Sequence, residues 1–469
     1  MNDSSQKTQA TGVYTVADAP LSWRHIGIVA SASLGQLIGT GLATLVSVII
    51  PLIQILGHPH LSSVMQGLIG AADLIGIAMG SAIFGKLIDR NGYLFYFRLC
   101  PAIILAASLV AFFVPDVTVL IICLFVMGLG IGGEYSLDSA YISELMPAKW
   151  KFIMVGSAKA SSSLGNIGVA AVCFWIISGW TDAAEWPDLL WIVAVIAGIM
   201  LLSRIGFHES PQWLLDQGKT AAAEKATHEF LGDNVCIEPV KPHDVVKSAA
   251  SEKRATAGGP SGNLSMWSFI KNNVRNVIFT GIPWACEGLG VYGIGVFLPI
   301  LVMVLGLEPA NHGEGIRHVA SSVEITLWIS CIILPGFVIG LLIIGKLKGF
   351  RQQALGFYMC AVSLLVLLLA YRYHWDKWIA IGAFMAFELF LNMGPHLMTY
   401  VLPSKIYPVK DRGAGTGIAA SIGKIGAVLG VFFIPVLLKA GGADLVLIVS
   451  IAVMLIGGIV TDMFRPETN

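Results

Sequence analysis

The sequence predicts an all-α membrane protein whose twelve transmembrane helices form two pseudo-symmetric six-helix bundles. Three observations carry this prediction: a composition that is 56% hydrophobic and 12% charged, twelve long apolar stretches, and two short sequences that each occur twice. Residues 85–92 (GKLIDRNG) resemble residues 345–351 (GKLKGFR), and residues 144–151 (ELMPAKWK) resemble residues 405–412 (KIYPVKDR). Both pairs recur at about the same spacing, which indicates that a six-helix unit has been duplicated in parallel.

The composition excludes several classes of protein. Soluble proteins carry about 25% charged residues, whereas this chain of 469 residues carries 12% and has a mean hydropathy of +0.77. Its formal net charge is zero, which gives no electrostatic reason to expect a nucleic-acid partner. The seven cysteines are scattered without a CxxC pair, so neither a disulfide framework nor a metal site is expected. No cofactor is expected either.

The apolar stretches are long enough to cross a membrane, because a spanning helix needs roughly 20 predominantly apolar residues. They lie near residues 25–50, 62–87, 96–114, 117–146, 152–178, 187–207, 273–305, 317–346, 352–371, 376–405, 413–439 and 443–464. One long polar interruption, residues 208–272, divides the twelve stretches into six and six.

The lysines and arginines orient these spans. If the N-terminus is cytosolic, 23 of the 29 basic residues fall on cytosolic segments, as the positive-inside rule requires. Four of the others are predicted to lie on outer loops: Arg317, Arg372, Lys377 and Lys439. The remaining two, Lys159 and Lys424, lie inside spans. The same orientation puts both copies of each repeated loop on one side of the membrane, which a parallel repeat also requires.

The chain is therefore expected to have five segments. They are a cytosolic N-terminal tail (1–24), an N-terminal six-helix bundle (25–207), a cytosolic central linker (208–272), a C-terminal six-helix bundle (273–464) and a C-terminal tail (465–469). The first 24 residues lack the apolar core of a signal peptide. We expect a multi-pass protein of the inner or plasma membrane with both termini in the cytosol.

Three motifs resemble those of known transporters. Residues 85–92 match the first eight positions of the loop signature of the major facilitator superfamily, G-x-L-x-D-R-x-G, whereas Tyr93 and Leu94 replace the basic pair that follows. Residues 128–135 (GLGIGGEY) resemble the fourth span of sugar porters and organic-ion transporters. Residues 208–214 (HESPQWL) resemble the P-E-S-P-R-W-L motif after their sixth span.

A second set of motifs is similar to the tenth span of phosphate:proton and metabolite:proton symporters: residues 392–395 (NMGP), 400–403 (YVLP) and 412–413 (RG). Together these resemblances imply the major facilitator fold and transport by alternating access. They also imply a gating loop on the cytosolic side. Its candidate residues here are Gly85, Asp89, Arg90, Gly92, Glu144 and Arg412.

The sequence departs from these relatives at informative positions. Leu124 replaces an arginine, Lys405 replaces a glutamate, and Gly288 replaces an aspartate, with Glu287 one step away. The first span, residues 25–50, contains no carboxylate, whereas many phosphate symporters carry an aspartate there. Phosphate specificity is therefore not expected.

Ionisable residues inside the spans mark the candidate site. A charged group at bilayer depth costs several kcal/mol unless it has a partner or faces water. Such residues are Asp73, Glu134, Asp138, Lys159, Glu287, Glu324, Glu388, His396 and Lys424. Glu134, Glu287, Glu388 and Lys424 lie roughly 16–26 Å from the cytosolic helix ends at the helical rise of 1.5 Å per residue. This depth is near the midplane, where secondary transporters bind substrate.

We predict that the two halves form one binding site. Alignment of the repeats puts Lys159 and Lys424 on equivalent helices, one turn apart, so the two lysines are expected to face one cavity and to suit an anion. Trp284 and Tyr292 keep the family spacing and either line this cavity or face lipid. The predicted substrate site consists of Tyr135, Lys159, Trp284, Glu287, Tyr292, Asn392, His396 and Lys424.

Glu134 and Asp138 are the leading candidates for coupling to protons, because residues four apart share one helix face. Two interpretations remain open: both carboxylates pair with Lys159 as a structural ion pair, or burial favours the protonated form of one, which then carries the proton. Asp73 and Glu388 are further coupling candidates, and Asp73 is equally explained as a helix–helix hydrogen-bonding group. His396 is a satisfied polar group or a proton relay.

These observations favour a monomeric secondary transporter that moves a small polar metabolite, an organic anion or sugar acid, by proton symport. Its partners are then the substrate, protons and the lipid bilayer. The alternatives are a neutral sugar or polyol transporter or facilitator, an efflux antiporter, and a nutrient receptor that does not transport. An enzyme is not expected, because the sequence contains no HExxH, GxSxG or Walker motif.

Overall fold

The structure, a computed structural model, describes residues 14–16, 18–56, 63–180, 182–232, 235–236, 266–294 and 316–466. Within these residues the protein is a bundle of long helices. The N-terminal half comprises α1 (Trp23–Leu56), α2 (Ser63–Asn91), α3 (Leu94–Phe113), α4 (Val117–Leu145), α5 (Lys151–Ser178), a 3-10 helix (Ala183–Leu189) and α6 (Leu190–Ser203). These helices coincide with the first six predicted spans.

Two short helices and a strand pair belong to the predicted linker and tail. Helix α7 (Pro211–Asp216) begins with Ser210 as N-cap, whose Oγ accepts the Trp213 N–H, and with proline at the first position, where no intrahelical N–H partner is needed. The other elements are α8 (Thr220–Leu231) and the parallel strands β1 (Tyr14–Thr15) and β2 (Val235–Cys236). The predicted linker residues 237–265 lie outside the described part of the chain.

The C-terminal half repeats the six-span arrangement with breaks. It comprises α9 (Met266–Asn272), α10 (Val274–Gly288) with a π-helical turn (Leu289–Ile294), α11 (Ile316–Ile343), α12 (Gly349–Arg372), α13 (Lys377–Met393), α14 (Pro395–Ile406), a 3-10 helix (Val409–Asp411) and α15 (Arg412–Phe464). Helix α15 contains predicted spans eleven and twelve, which are separated by non-helical dihedral angles at Gly441 and Gly442. Residues 295–305 of the predicted seventh span lie outside the described residues, as does the side chain of Glu324.

The tenth predicted span is broken into α13 and α14 at Gly394, because Pro395 lacks the N–H that would continue the helix. A Cβ at Gly394 would lie 2.7 Å from Gly356 Cα of α12, so only glycine permits this approach. Across the break, Asn392 Oδ1 and His396 Nδ1 lie 2.8 Å apart.

Eleven helices of the described residues are long and apolar enough to cross a membrane, and α11 contributes a shorter apolar segment, Cys331–Ile343. The outer surface is apolar: Trp175 is 78% exposed and Phe113 71% exposed. Buried positions, by contrast, include Glu134, Lys159 and many other polar groups. This arrangement is the one that lipid requires, because ionisable groups avoid the hydrocarbon by facing the bundle interior.

The two halves touch along α2 and α15 and along α5 and α11. Gly85 is part of the first contact, since a Cβ there would lie 2.5 Å from the Gly413 carbonyl oxygen. Gly85 therefore lies inside α2, and its predicted place in the loop is wrong. The turn glycine is Gly92, with φ +91°, and Gly345 with φ +84° follows α11. The two copies of this loop thus turn at different positions of the aligned sequence.

Candidate functional site

Lys159 of α5 and Lys424 of α15 approach one aromatic ring from the two halves of the protein. Their Nζ atoms lie 5.5 and 5.0 Å from the ring centroid of Tyr135 in α4. Both lysines are buried, with 3% and 4% of their surface exposed. Because an ammonium ion is attracted to the face of an aromatic ring, Tyr135 offsets part of the cost of burying two cations.

Further aromatic side chains surround the lysines. Lys424 donates to the Tyr292 hydroxyl and lies 3.9 Å from the centroid of that ring, and Lys159 lies 5.8 Å from the centroid of Tyr400 in α14. The Tyr400 ring also packs edge-on against Trp284 of α10, with centroids 6.3 Å apart. Trp284 and Tyr292 are buried, so both predicted aromatic residues face the interior and not lipid.

A ladder of polar side chains approaches the lysines from α13 and α14. Asn392 Nδ2 lies 3.4 Å from Glu388 Oε2, and Asn392 Oδ1 lies 2.8 Å from His396 Nδ1. His396 Nε2 in turn lies 3.6 Å from Glu287 Oε1. Glu287 interacts electrostatically with both Lys159 and Lys424. The eight predicted substrate residues therefore meet in one buried group, which we call the central cluster.

The central cluster is electrostatically balanced. Asp73 of α2 interacts with Lys424, and one of its carboxylate oxygens accepts the Leu74 N–H at 2.8 Å. The two lysines thus face two carboxyl groups, Asp73 and Glu287. In the described residues no group of histidine, cysteine, aspartate and glutamate side chains is suited to a metal ion. The arrangement can exchange an internal carboxylate for an anionic group of a small molecule.

Glu134 and Asp138 form a separate cluster with Arg204, which directly follows α6. Arg204 Nη1 and Nη2 donate to Glu134 Oε1 and Oε2 at 2.8 and 2.5 Å, and Nη2 lies 3.6 Å from Asp138 Oδ1. All three side chains are fully buried. The interpretation that both carboxylates pair with Lys159 is therefore wrong: the cation beside them is Arg204, which directly follows α6.

The predicted gating residues join the two halves at the end of the bundle that carries the loop at residues 92–93, which we call the predicted cytosolic end. Asp89 accepts the backbone N–H groups of Gly413 and Ala414 at 2.9 and 2.7 Å, at the start of α15. The N-terminus of a helix carries partial positive charge, so this carboxylate is well placed there. Glu144 of α4 lies 3.2 Å from Arg412 Nη1.

Glu144 is held by groups from three parts of the chain. Besides Arg412, the Tyr93 hydroxyl donates to it at 2.8 Å, and Ser210 Oγ donates to its other oxygen. Arg90, in contrast, is exposed and makes no ion pair with any described residue, so the prediction that it locks the helix ends through a charge network is wrong.

Several site residues were missed from the sequence. Arg204 lies at the edge of a span, where arginine usually reaches water, and nothing in its neighbourhood marks it as buried. Tyr400 lies in the motif at residues 400–403, which indicated a resemblance to symporters but no contact with the substrate site. Glu209, from the motif at residues 208–214, accepts the N–H groups of Tyr93 and Leu94 at 2.7 and 3.1 Å and so caps α3. The motif at residues 208–214 was the sequence signal that could have predicted this role of Glu209.

Comparison with known proteins gives consistent matches over most of the chain. The model of the family "Sugar (and other) transporter" matches residues 3–469. The inner membrane metabolite transport protein YgcS of Escherichia coli K12 is 26% identical over 418 residues, covering 89% of this chain and 86% of the relative. The repressible high-affinity phosphate permease of Neurospora crassa is 23% identical over 447 residues, covering 88% of this chain and 78% of the relative.

Among solved structures, the major facilitator proton:xylose symporter XylE bound to 6-bromo-6-deoxy-D-glucose superposes with a TM-score of 0.79 at 19% identity, covering 95% of this chain and 96% of that chain. This likeness confirms the predicted fold of two six-helix bundles. The matched proteins are transporters and not enzymes. The chain belongs to the Sugar (and other) transporter family and is a multi-pass membrane transporter of the major facilitator fold.

Proposed function

We propose that this protein is a proton-coupled symporter for a small organic anion, a carboxylate or sugar acid, and that the central cluster binds the substrate. The observation that supports this most directly is the meeting of Lys159 and Lys424 at the ring of Tyr135. Each lysine belongs to a different half of the protein. A substrate that contacts both would therefore bridge the halves, as alternating access requires.

The two lysines of the central cluster favour an anion. An anionic group that replaces Glu287 beside the lysines exchanges one favourable ion pair for another, whereas a cation would add to two buried positive charges. Tyr135 and Trp284 offer aromatic faces to the apolar or sugar-like body of the substrate. Asn392 and His396 provide hydrogen-bonding groups for its polar substituents.

The contacts between the halves fit one stage of an alternating-access cycle. Asp89 and Glu144 of the N-terminal half bind the start of α15 in the C-terminal half at the predicted cytosolic end. These contacts keep that end closed, and they would break when the site opens toward the cytosol. In this proposal the protein works as a monomer, with both termini in the cytosol.

Proton coupling completes the proposal. The carboxyl groups available to carry a proton are buried in the bundle interior: Asp73, Glu134, Asp138 and Glu388. A carboxyl group that is buried away from water favours its neutral, protonated form unless a cation lies beside it. Entry of a proton with each anion would also keep the interior close to electrical neutrality through the cycle.

Transport of a neutral sugar or polyol is the second candidate, supported by the family description and by the likeness to the xylose symporter. Purified protein in proteoliposomes separates the two. Labelled glucuronate, lactate, xylose and mannitol would be offered with an inward proton gradient and without one. We expect gradient-driven accumulation of glucuronate or lactate and not of xylose or mannitol.

Accumulation of xylose or mannitol alone would replace the anion proposal with the second candidate. Uptake driven only by an outward proton gradient would indicate efflux antiport. Binding of a compound without any flux would indicate a receptor. Each of these three outcomes contradicts the proposed symport of an anion.

A further inference from the structure

The buried cluster of Glu134, Asp138 and Arg204 contains more negative than positive charge. The three side chains belong to α4 and to the end of α6, and none of them has any exposed surface. Two carboxylates and one guanidinium leave one uncompensated negative charge if both carboxyl groups ionise. Such a charge is strongly disfavoured away from water. A single proton removes it.

The hydrogen bonds show which carboxyl group Arg204 satisfies. Both Glu134 oxygens accept from Arg204 at 2.8 and 2.5 Å, and Nη1 also donates to the Phe97 carbonyl oxygen at 2.8 Å. Asp138 is farther away, at 3.6 Å, and neither of its oxygens accepts a hydrogen bond from any described residue. A bidentate pair of this kind is the strongest that arginine forms with a carboxylate. Glu134 is therefore the fixed partner of Arg204.

The other titratable groups around Asp138 provide no second cation. They are Glu134 and Tyr135 on α4, Arg204 after α6, Cys100 on α3 and Tyr400 on α14. From α1 the cluster meets Gly35, where a Cβ would lie 2.5 Å from Asp138 Oδ2. Span one thus presents no charge to Asp138, and its backbone at Gly35 packs directly against this carboxyl group.

We propose that Asp138, and not Glu134, carries the coupled proton, that Arg204 acts as a positioning residue that keeps Glu134 ionised, and that Gln36 couples Asp138 to the central cluster. This inference rests on the proposed proton symport and specifies its proton site. In the cycle, the Asp138 carboxylate takes a proton from water on the outer side and becomes a neutral acid. The same proton is later released to the cytosol, and no other bond changes.

Gln36 connects the proton site with the substrate site across the two halves. Its amide lies beside Asp138, and its Nε2 donates to the Tyr400 hydroxyl of α14 at 3.2 Å. Its Oε1 accepts no hydrogen bond from any described residue, so a proton on Asp138 supplies a donor that the ionised form lacks. Tyr400 lies against Lys159 and Trp284. Protonation of Asp138 thereby reorients an amide that contacts the wall of the central cluster.

Infrared spectroscopy of the full chain in liposomes tests the proton site without any substrate. Protein would be prepared with aspartate or glutamate carrying ¹³C in the side-chain carboxyl, and pH-dependent difference spectra would be recorded in the carboxylic-acid C=O region. We expect a band that shifts with labelled aspartate and is lost in Asp138→Asn. A band that shifts with labelled glutamate, or one that Asp138→Asn leaves unchanged, would overturn the assignment.

Transport measurements test the role of Gln36. In the Gln36→Leu and Asp138→Asn variants, exchange of the accumulated compound across the membrane should persist, while accumulation driven by the proton gradient should be lost. Gln36→Leu should retain the aspartate band, which a generally misfolded protein would not. Unchanged accumulation in Gln36→Leu would refute the coupling role. If the wild type accumulates none of the four compounds, the proposed symport fails, whereas the labelled spectra still decide which residue holds the proton.

Discussion

The Tyr93 hydroxyl donates a 2.8 Å hydrogen bond to Glu144 Oε1, at a loop position where related transporters carry a basic residue. Burial, and then the negative charge of Glu144, raise the pKa of Tyr93 well above its ordinary value. The phenol therefore stays neutral and remains a donor throughout the physiological pH range. A tyrosine thus contributes to the contact at the predicted cytosolic end without adding a charge that pH or salt could remove.

We expect Tyr93→Phe to weaken closure at the predicted cytosolic end, because Glu144 loses one buried donor. A hydrogen bond to a charged group contributes about 1.5–3 kcal/mol, so the population open at that end should rise by roughly tenfold or more. Distances between spin labels at the exposed positions Asn91 and Lys405 would report the change. Tyr373→Phe, at an exposed tyrosine, is the matched control. Identical distance distributions in Tyr93→Phe and the wild type would contradict the role of this hydrogen bond.

Asp89→Asn should destabilise the same contact. Asp89 accepts two N–H groups at the N-terminus of α15, and the neutral amide loses the attraction between a carboxylate and the helix dipole, about 0.3–1 kcal/mol or up to ~2 when partly buried. The same label distances measure the effect. Arg90→Gln, one residue away and exposed, should change little. An effect of Arg90→Gln equal to that of Asp89→Asn would disprove this account.

Substitution of either central lysine should weaken binding of the transported anion. Lys159→Gln and Lys424→Gln each remove one of two cations that we propose contact the substrate, and a lost charge-assisted contact of about 1.4–2.8 kcal/mol raises Kd tenfold to a hundredfold. Calorimetric titration of the accumulated compound would measure this. Lys439→Gln provides a control at an exposed lysine of α15. Wild-type affinity in both central variants would exclude the lysines from the site.

Arg204→Gln should strongly destabilise the protein, because it leaves two buried carboxyl groups without their cation. Removing one partner of a buried ion pair typically costs 3–5 kcal/mol. Thermal unfolding in detergent would show a lower Tm, whereas Arg98→Gln on the exposed side of α3 should be nearly neutral. Adding Glu134→Gln to Arg204→Gln should restore part of the loss, since one of the uncompensated groups is then neutral. No loss of Tm in the single variant would contradict the described geometry.

Gly356→Ala should disrupt the packing of α12 against the break between α13 and α14. An added Cβ would lie 2.8 Å from Gly394 Cα and would overlap Pro395, and overpacking of this kind costs about 1–3 kcal/mol. Gly382→Ala is the matched control, because nothing lies within 4 Å of a Cβ at that glycine. The control should be neutral or slightly stabilising, as alanine favours helix. Equal Tm values for the two variants would show that the break tolerates a side chain.

Much of the architecture was decided by local composition. The length of each apolar stretch fixes the helices, because backbone polar groups in lipid must be satisfied within the helix. The duplicated loops then indicate two related halves. The conclusion that ionisable residues face inward follows for the same reason: Lys159 and Lys424 are too costly to expose to lipid, so sequence reasoning placed them in the interior without any coordinates.

Which charge pairs with which was decided only by the tertiary structure. Glu134 and Asp138 could be assigned to one helix face, yet only one of the two open interpretations gave them a partner, Lys159 on α5, whereas the partner is Arg204 after α6. Likewise, the sequence identified Tyr93 only as a departure from the loop motif. The structure shows that its hydroxyl donates to Glu144. Sequence determines the depth and the face of a side chain through helical periodicity. Partners more than a few turns apart depend on how helices cross and turn, and this is set by packing over the whole bundle.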